Sequence, residues 1–106
     1  MTLNVVYITA KDRDEARRIG RQLVDERLAA CANVIDGVES IYWWDGAVRE
    51  ESEAALVVKT KEALVPQLIE RVKALHSYDC PCIVALPILD GNPAFLQWIA
   101  DETRAP

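Results

Sequence analysis

One histidine, three cysteines and no surplus of basic residues stand in this 106-residue chain, and each shortage removes a class of function. Lys and Arg number 12 against 17 Asp and Glu, for a formal net charge of −5. A nucleic-acid footprint is normally basic, so this balance speaks against one and leaves solubility and attraction of cations as its consequences. The opening residues Met1-Thr2-Leu3-Asn4 carry no basic stretch followed by an apolar segment, and no signal peptide is read there. The longest apolar runs fall well short of the ~20 residues that cross a bilayer as a helix, so no membrane association is expected. Cys31, Cys80 and Cys82 are odd in number and lack a disulfide-framework spacing; reduced thiols in the cytoplasm are the expectation. Repeats, low-complexity tracts and linkers are missing. No Ser/His/Asp set, phosphate loop or metal-hydrolase motif is present, and the chain is read as non-enzymatic.

What remains is ordinary globular composition, with 51% apolar and 27% charged residues. The length suits one domain over residues 1–106. Leu3 to Thr9 reads as a buried strand. Asp12 is a candidate N-cap for a helix whose apolar face holds Ala16, Ile19, Leu23 and Leu28. Gly20 on that face would let the helix approach a sheet closely. A strand resumes at Cys31 to Ile35, and Asp36-Gly37 predicts a bulge or bend. Ala54 to Val58 is the near-continuous apolar run of a central strand. Thr60 is a plausible cap for the next helix, whose stripe is Leu64, Val65, Leu68, Ile69, Val72 and Leu75, although Pro66 fits only within a first turn. Ile83 to Leu89 is a strand that carries Pro87, which places it near an edge or ends it early. Asn92-Pro93 opens a short last helix with Phe95, Trp98 and Ile99 as its apolar face. The order is β-α-β-β-α-β plus a C-terminal helix, an α+β, ferredoxin-like arrangement.

The most informative stretch is Ser40-Ile41-Tyr42-Trp43-Trp44-Asp45-Gly46. Asp-Gly between two β-rich runs signals a two-residue hairpin turn. Flanking strands of about 12 residues at ~3.3 Å each reach roughly 40 Å, beyond the roughly 34 Å diameter of a domain this size. Trp43 and Trp44 are adjacent, so they face opposite sides of the hairpin. Both cannot easily pack on their own domain at an overhanging tip, and leaving both wet invites aggregation. Symmetric self-assembly resolves this, with Tyr42, Trp43 and Trp44 at the contact. The alternative is a shorter hairpin bent at Asp36-Gly37 whose aromatics fold back onto the chain.

These stretches together resemble the CutA family, the divalent-cation tolerance proteins. The match runs through LAACANVI (28–35), SIYWWDG (40–46), LVVKT (56–60), LHSYDCP (75–81) and ALPILDGNPAFLQWI (85–99), in order and over nearly the whole chain. The resemblance implies a ferredoxin-like homotrimer in which the long hairpins of neighbouring subunits extend the sheets. It also implies a link to copper binding and metal tolerance, a kinship of subunit fold with the PII signalling trimers, and no agreed catalytic activity. In some family members a proposed copper site uses a histidine pair in this loop and a cysteine in the first strand. Leu75 and Ile8 stand at two of those three positions here.

His76 is the candidate metal ligand, because imidazole suits copper and zinc; the other reading is a capping or hydrogen-bonded loop residue. Cys80-Pro81-Cys82 departs from the family's aliphatic residue and glutamate and offers soft ligands, so His76, Cys80 and Cys82 form the candidate set for copper or another divalent metal. Buried thiol packing is the competing reading for that pair, and Cys31 reads as a small core residue. No metal is expected to be required for folding. Glu50, Glu51 and Glu53 flank the hairpin as a solvated face by default. In a trimer, Trp44, Glu53, Lys59, Tyr78 and Asp79 would line a cleft between subunits, as the family arranges such residues.

Two enzyme or binding classes share this strand order and fail on residues. Acylphosphatases need an arginine-bearing, glycine-containing loop after the first strand, where this chain has Thr9-Ala10-Lys11-Asp12-Arg13. RNA-recognition modules need aromatic rings on the central strands, where this chain has Ala54-Ala55-Leu56-Val57-Val58. A metal-binding homotrimer acting in cation tolerance, or a PII-like signalling or scaffold trimer with a small-ligand cleft, are the two functions left.

Overall fold

A computed structural model describes residues 2–106. Four strands and three helices follow one another: β1 (Leu3–Ala10), α1 (Arg13–Asp25), β2 (Cys31–Trp44), β3 (Ala47–Lys61), α2 (Val65–Leu75), β4 (Ile83–Pro87) and α3 (Pro93–Glu102). The sheet order is β2-β3-β1-β4, and every pairing is antiparallel. β3 is central, as its apolar run predicts. β4 is an edge strand and stops at Pro87, two residues short of the expected Leu89, because proline cannot donate to the ladder.

Register divides the sheet into two faces. Val34, Leu56, Ile8 and Ile83 lie in one cross-strand row and Ala32, Val58 and Val6 in the next. They pack with Ala16, Ile19 and Leu23 of α1 and Leu68 and Val72 of α2 into the main core. Alternation then sends Asn33, Val57, Tyr7 and Val84 to the opposite face, with Cys31, Lys59, Val5 and Leu86 beside them. That face has no helix over its middle. α3 packs only at one end, where Ile99 and Leu96 meet Leu3, Ala30 and Ile88.

Local chemistry explains the joints. Asp12 caps α1, accepting the Glu15 N–H on Oδ1 at 2.8 Å. A Cβ on Gly20 would sit 2.8 Å from Leu56 Cδ1 and 3.1 Å from the Ala32 Cβ, so α1 rests on the sheet at glycine distance. Asn92 Oδ1 accepts the Ala94 N–H at 3.1 Å and starts α3. Thr60 does not cap a helix. It stays in β3, is fully buried, and donates its hydroxyl to the Leu28 carbonyl at 2.6 Å. A 3-10 turn over Glu62–Leu64 follows, and α2 begins at Val65 with Pro66 in its first turn. Phe95 and Trp98 also depart from expectation. Of the α3 stripe only Ile99 is buried, while Phe95 and Trp98 are exposed and stack on each other with centroids 5.4 Å apart.

The hairpin is long. β2 has 14 residues and β3 has 15, against a greatest molecular extent of 44 Å. β1 pairs with β3 only from Ala54 inward. Beyond it, Val38–Trp44 and Ala47–Glu53 form a two-stranded ribbon roughly 23 Å long. The register slips between Ile35 and Val38, where Gly37 takes φ +73°, so Asp36-Gly37 is a bulge within a continuous hairpin. The tip turns through Asp45 at φ 51° and Gly46 at φ 78°, the paired positive values of a type I′ turn. Its aromatics do not fold back: Trp43 is 74% exposed and Trp44 58%.

Candidate functional site

The densest polar construction lies where β1 ends, α1 begins and the loop after α2 passes. Asp12 and Glu15 stand in capping-box spacing. Glu15 is buried, and its carboxylate accepts the Lys11 N–H at 3.0 Å and, across the fold, the Ser77 N–H at 3.0 Å. The Arg18 guanidinium lies 3.6 Å away. Burial by itself would raise the carboxyl pKa. The hydrogen bonds from Ser77 and Lys11 outweigh it and hold the group below the usual glutamate range.

His76 ends α2, donating its backbone N–H to the Val72 carbonyl at 2.9 Å. Its side chain is fully buried. Nε2 lies 2.8 Å from the Thr9 carbonyl oxygen, which can only accept, and Nδ1 accepts the Tyr78 N–H at 3.0 Å. The ring is therefore the neutral Nε2–H tautomer with both nitrogens engaged. Tyr78 packs against it with centroids 4.7 Å apart and donates its hydroxyl to Glu53 Oε2 at 2.8 Å. Burial, the bond to Glu53 and the surrounding carboxylates push the Tyr78 phenol above its usual range. Glu53 is buried beside Ala54, at the root of the ribbon.

The candidate metal residues are not gathered. Among the described residues no group of three or more His, Cys, Asp and Glu side chains could hold a metal ion. Within one chain they do not fit a divalent site, since His76 would first have to surrender the Tyr78 N–H or the Thr9 carbonyl. Cys80 and Cys82 are exposed, so thiol packing in a core is not their role. Cys31 is half-buried on the open sheet face, with Lys59 Nζ 3.8 Å from its sulfur, and is no core residue either.

The candidate cleft residues are spread along one chain. Only Glu53 and Tyr78 touch, with exposed Asp79 next to them. Lys59 donates to Asn33 Oδ1 at 3.0 Å, six residues inward along β3 from Glu53, or roughly 20 Å. Trp44 pairs with Ala47, six residues outward along the ribbon, again roughly 20 Å. Tyr42 is half-buried on the same ribbon face as Trp44, and its phenol is raised by a hydrogen bond to Glu51. On the other face Ile41, Trp43 and Val48 form an exposed apolar strip. Glu15 escapes sequence reading as a site residue, although its place three residues after Asp12 carries the signal.

Comparison with known proteins settles the kinship. The family model for the CutA1 divalent ion tolerance protein matches residues 4–102. The chain belongs to the CutA1 family. The Divalent-cation tolerance protein CutA of Thermus thermophilus is 52% identical over 99 residues, covering 93% of this chain and 96% of that protein. The rice protein CutA 1, chloroplastic, is 44% identical over 100 residues, covering 94% of this chain and 56% of the relative. This chain thus spans little more than half the length of the rice protein. The crystal structure of CutA1 from rice superposes with a TM-score of 0.97 at 42% identity, covering 100% of this chain and 97% of that one. The periplasmic divalent cation tolerance protein CutA from Archaeoglobus fulgidus gives 0.91 at 41% identity, covering 94% and 97%. CutA relatives thus carry names from more than one compartment. The Thermus and Archaeoglobus proteins are named for tolerance of divalent cations.

Proposed function

We propose that this CutA1-family chain is a non-catalytic homotrimer of ferredoxin-like subunits that takes part in the response to divalent metal ions, copper among them. The ribbon carries the reading. A two-stranded ribbon this long is at best marginally stable alone in water, and here it presents Ile41, Trp43, Trp44 and Val48 to solvent. The sheet face bearing Val84 and Leu86 is equally uncovered. Sister copies satisfy both at once, Tyr42, Trp43 and Trp44 becoming contact residues.

Such an assembly gives the scattered polar residues a common place. In this reading Trp44, Glu53, Lys59, Tyr78 and Asp79 line an elongated intersubunit cleft, with the Glu53–Tyr78 pair roughly midway along it. Ion binding in this reading belongs to groups from more than one copy, which fits the lack of a three-ligand cluster among the described residues of one chain. Free thiols suit a cytoplasmic setting. No helix among the described residues is long and apolar enough to cross a membrane.

Mass measurement under native conditions tests the assembly. A particle of three 11.9 kDa chains is expected, and a well-folded single chain at micromolar concentration refutes it. The bond from Tyr78 to Glu53 favours one second reading, a PII-like signalling or scaffold trimer that takes a small ligand in the cleft. Thermal shift separates the two. Stabilisation by Cu(II) or Zn(II) supports ion response, whereas stabilisation by a small organic ligand and by no metal supports signalling.

A further inference from the structure

We infer that Lys59, Asn33 and Tyr7 on the open sheet face form an anion subsite, which takes the carboxylate of a small organic acid with an apolar body. The inference rests on the PII-like reading of the cleft as a small-ligand site and names the class of ligand. Lys59 and Lys61 share this face of β3 but differ in what holds them. Lys61 Nζ is spent on the Thr103 and Arg104 carbonyls, at 3.0 and 3.1 Å, where α3 ends. Lys59 Nζ meets Asn33 Oδ1 at 3.0 Å and, weakly, Cys31 Sγ at 3.8 Å. Neither partner brings an opposite charge, and Lys59 takes part in no ion pair among the described residues. A lysine can only donate, so Asn33 turns its oxygen to Lys59 and keeps its amide N–H groups out of that contact.

Register places the three donors around one residue. Asn33 and Tyr7 both pair with Val57, one on each side, so they stand about 10 Å apart with Val57 between them. Lys59 is the next residue of β3 on the same face. Ammonium, amide and phenol thus flank one half-buried valine. Val5 and Leu86 continue the Lys59 row and Val84 the Tyr7 row, so the surroundings are apolar. Over the span where β1 pairs with β3 this face carries no carboxylate, although the chain holds 17 Asp and Glu. Glu53 lies roughly 20 Å along β3, and its Oε2 is bonded by Tyr78. A place with one positive charge, neutral donors and apolar walls suits an anion with an apolar body and repels a bare cation. Covering the face with sister copies strengthens the demand. A half-buried ammonium with neutral partners then loses water and gains no counter-charge until an anion arrives.

The test is a titration of the intact protein with benzoate, followed by calorimetry and by the 13Cε signals of its lysines. One saturable site per chain is expected, and it should move the signal that Lys59→Met deletes. Lys59→Met should weaken benzoate by more than about 10-fold, the loss expected for a charge-assisted hydrogen bond, and Lys59→Arg should largely restore it. Asn33→Asp, which sets a carboxylate against the ligand, should weaken it as much, and Tyr7→Phe by about 2- to 10-fold. Lys73→Met on α2 should change nothing. Benzamide, without the charge, and acetate, without the ring, should each bind at least about 10-fold more weakly than benzoate. Benzoate binding that survives Lys59→Met, or that benzamide matches, overturns the inference while the cleft reading stands. Inorganic phosphate binding more tightly than benzoate overturns the organic class. If benzoate does not bind the assembled wild type and Lys59→Met dissociates it, the anion is a carboxylate of a sister copy and the inference fails. If benzoate, benzamide and benzylamine all fail to bind the assembly, the cleft reading fails with it.

Discussion

Replacing Trp43 by alanine should dissociate the assembly at concentrations where the wild type holds. A tryptophan side chain covers up to ~250 Å². With Trp43 74% exposed in the single chain, about 185 Å² remains to be buried, worth roughly 4.6 kcal/mol at ~25 cal/mol per Å² as an upper bound. Interface truncations of such rings typically lose about 2 kcal/mol or more. Taking about 2 kcal/mol per copy, three copies lose about 6 kcal/mol, or roughly 4.4 decades in the trimer dissociation constant. That constant has units of concentration squared, so the midpoint of dissociation moves by roughly two decades in concentration. Sedimentation velocity over a dilution series from micromolar to nanomolar reads it directly. Trp44→Ala, with 58% of its ring exposed, should follow the same course with a smaller shift. Quenching offers a check: with Trp98→Phe in the background, the two ribbon indoles should be shielded at high concentration and open on dilution. A wild-type chain that sediments alone, or a Trp43→Ala trimer as tenacious as the parent, refutes the reasoning.

Gly20→Ala should lower stability by about 1 kcal/mol in urea unfolding, since overpacking against Leu56 and Ala32 outweighs the roughly 1 kcal/mol gain in helix propensity. Glu15→Gln should destabilise near neutrality and cease to matter in acid. Because the folded pKa is depressed, the wild-type advantage is complete above the ordinary glutamate pKa of about 4.3 and disappears as pH falls through the lower folded value, as thermal midpoints across pH will read. Tyr78→Phe should remove about 1–2 kcal/mol through the lost bond to Glu53 and delete the latest phenol phase of an alkaline ultraviolet titration. His76→Ala should lower stability by about 2–4 kcal/mol in metal-free buffer, by opening a cavity and stranding the Thr9 carbonyl and Tyr78 N–H; equal stability of variant and parent there would sink the loop-lock role.

Where sequence and structure agree, the signal is local. Asp45-Gly46 takes its positive φ pair because few other dipeptides do so at small expense in strain, and Gly37 bulges for the same reason. Gly20 is legible because one missing side chain on an apolar helix face has few explanations. The disagreements all involve partners distant in sequence. Thr60 looks like a cap until Leu28 supplies a buried carbonyl 32 residues away. His76 looks like a ligand until the carbonyl of Thr9, 67 residues earlier, accepts its Nε2–H. Cys31 sits among alanines and reads as core, yet strand alternation turns it to the open face beside Lys59. Phe95 and Trp98 follow helical spacing faithfully, yet Ile99 and Leu96 are the α3 residues that reach the small second core, and the two rings stay exposed against each other.

The ribbon and the polar cluster are not independent. Nothing along the outer ribbon orients it, since its two strands pair only with each other beyond Ala54. Its direction must be set at the root, where the bulge at Asp36-Gly37 adds twist to one strand and the buried Glu53, held by Tyr78, anchors the other. Tyr78 in turn stands on His76, and Ser77 on Glu15, so the root is tied through one loop to the start of α1 and the end of α2. A small rotation at the root moves Trp43 and Trp44 by an arc that grows with the roughly 23 Å lever between them. Association that depends on those rings must then depend on the loop. Tyr78→Phe should therefore raise the concentration at which the assembly dissociates although the tyrosine lies far from the tip; an unchanged midpoint would mean that the ribbon is steered by its neighbours alone.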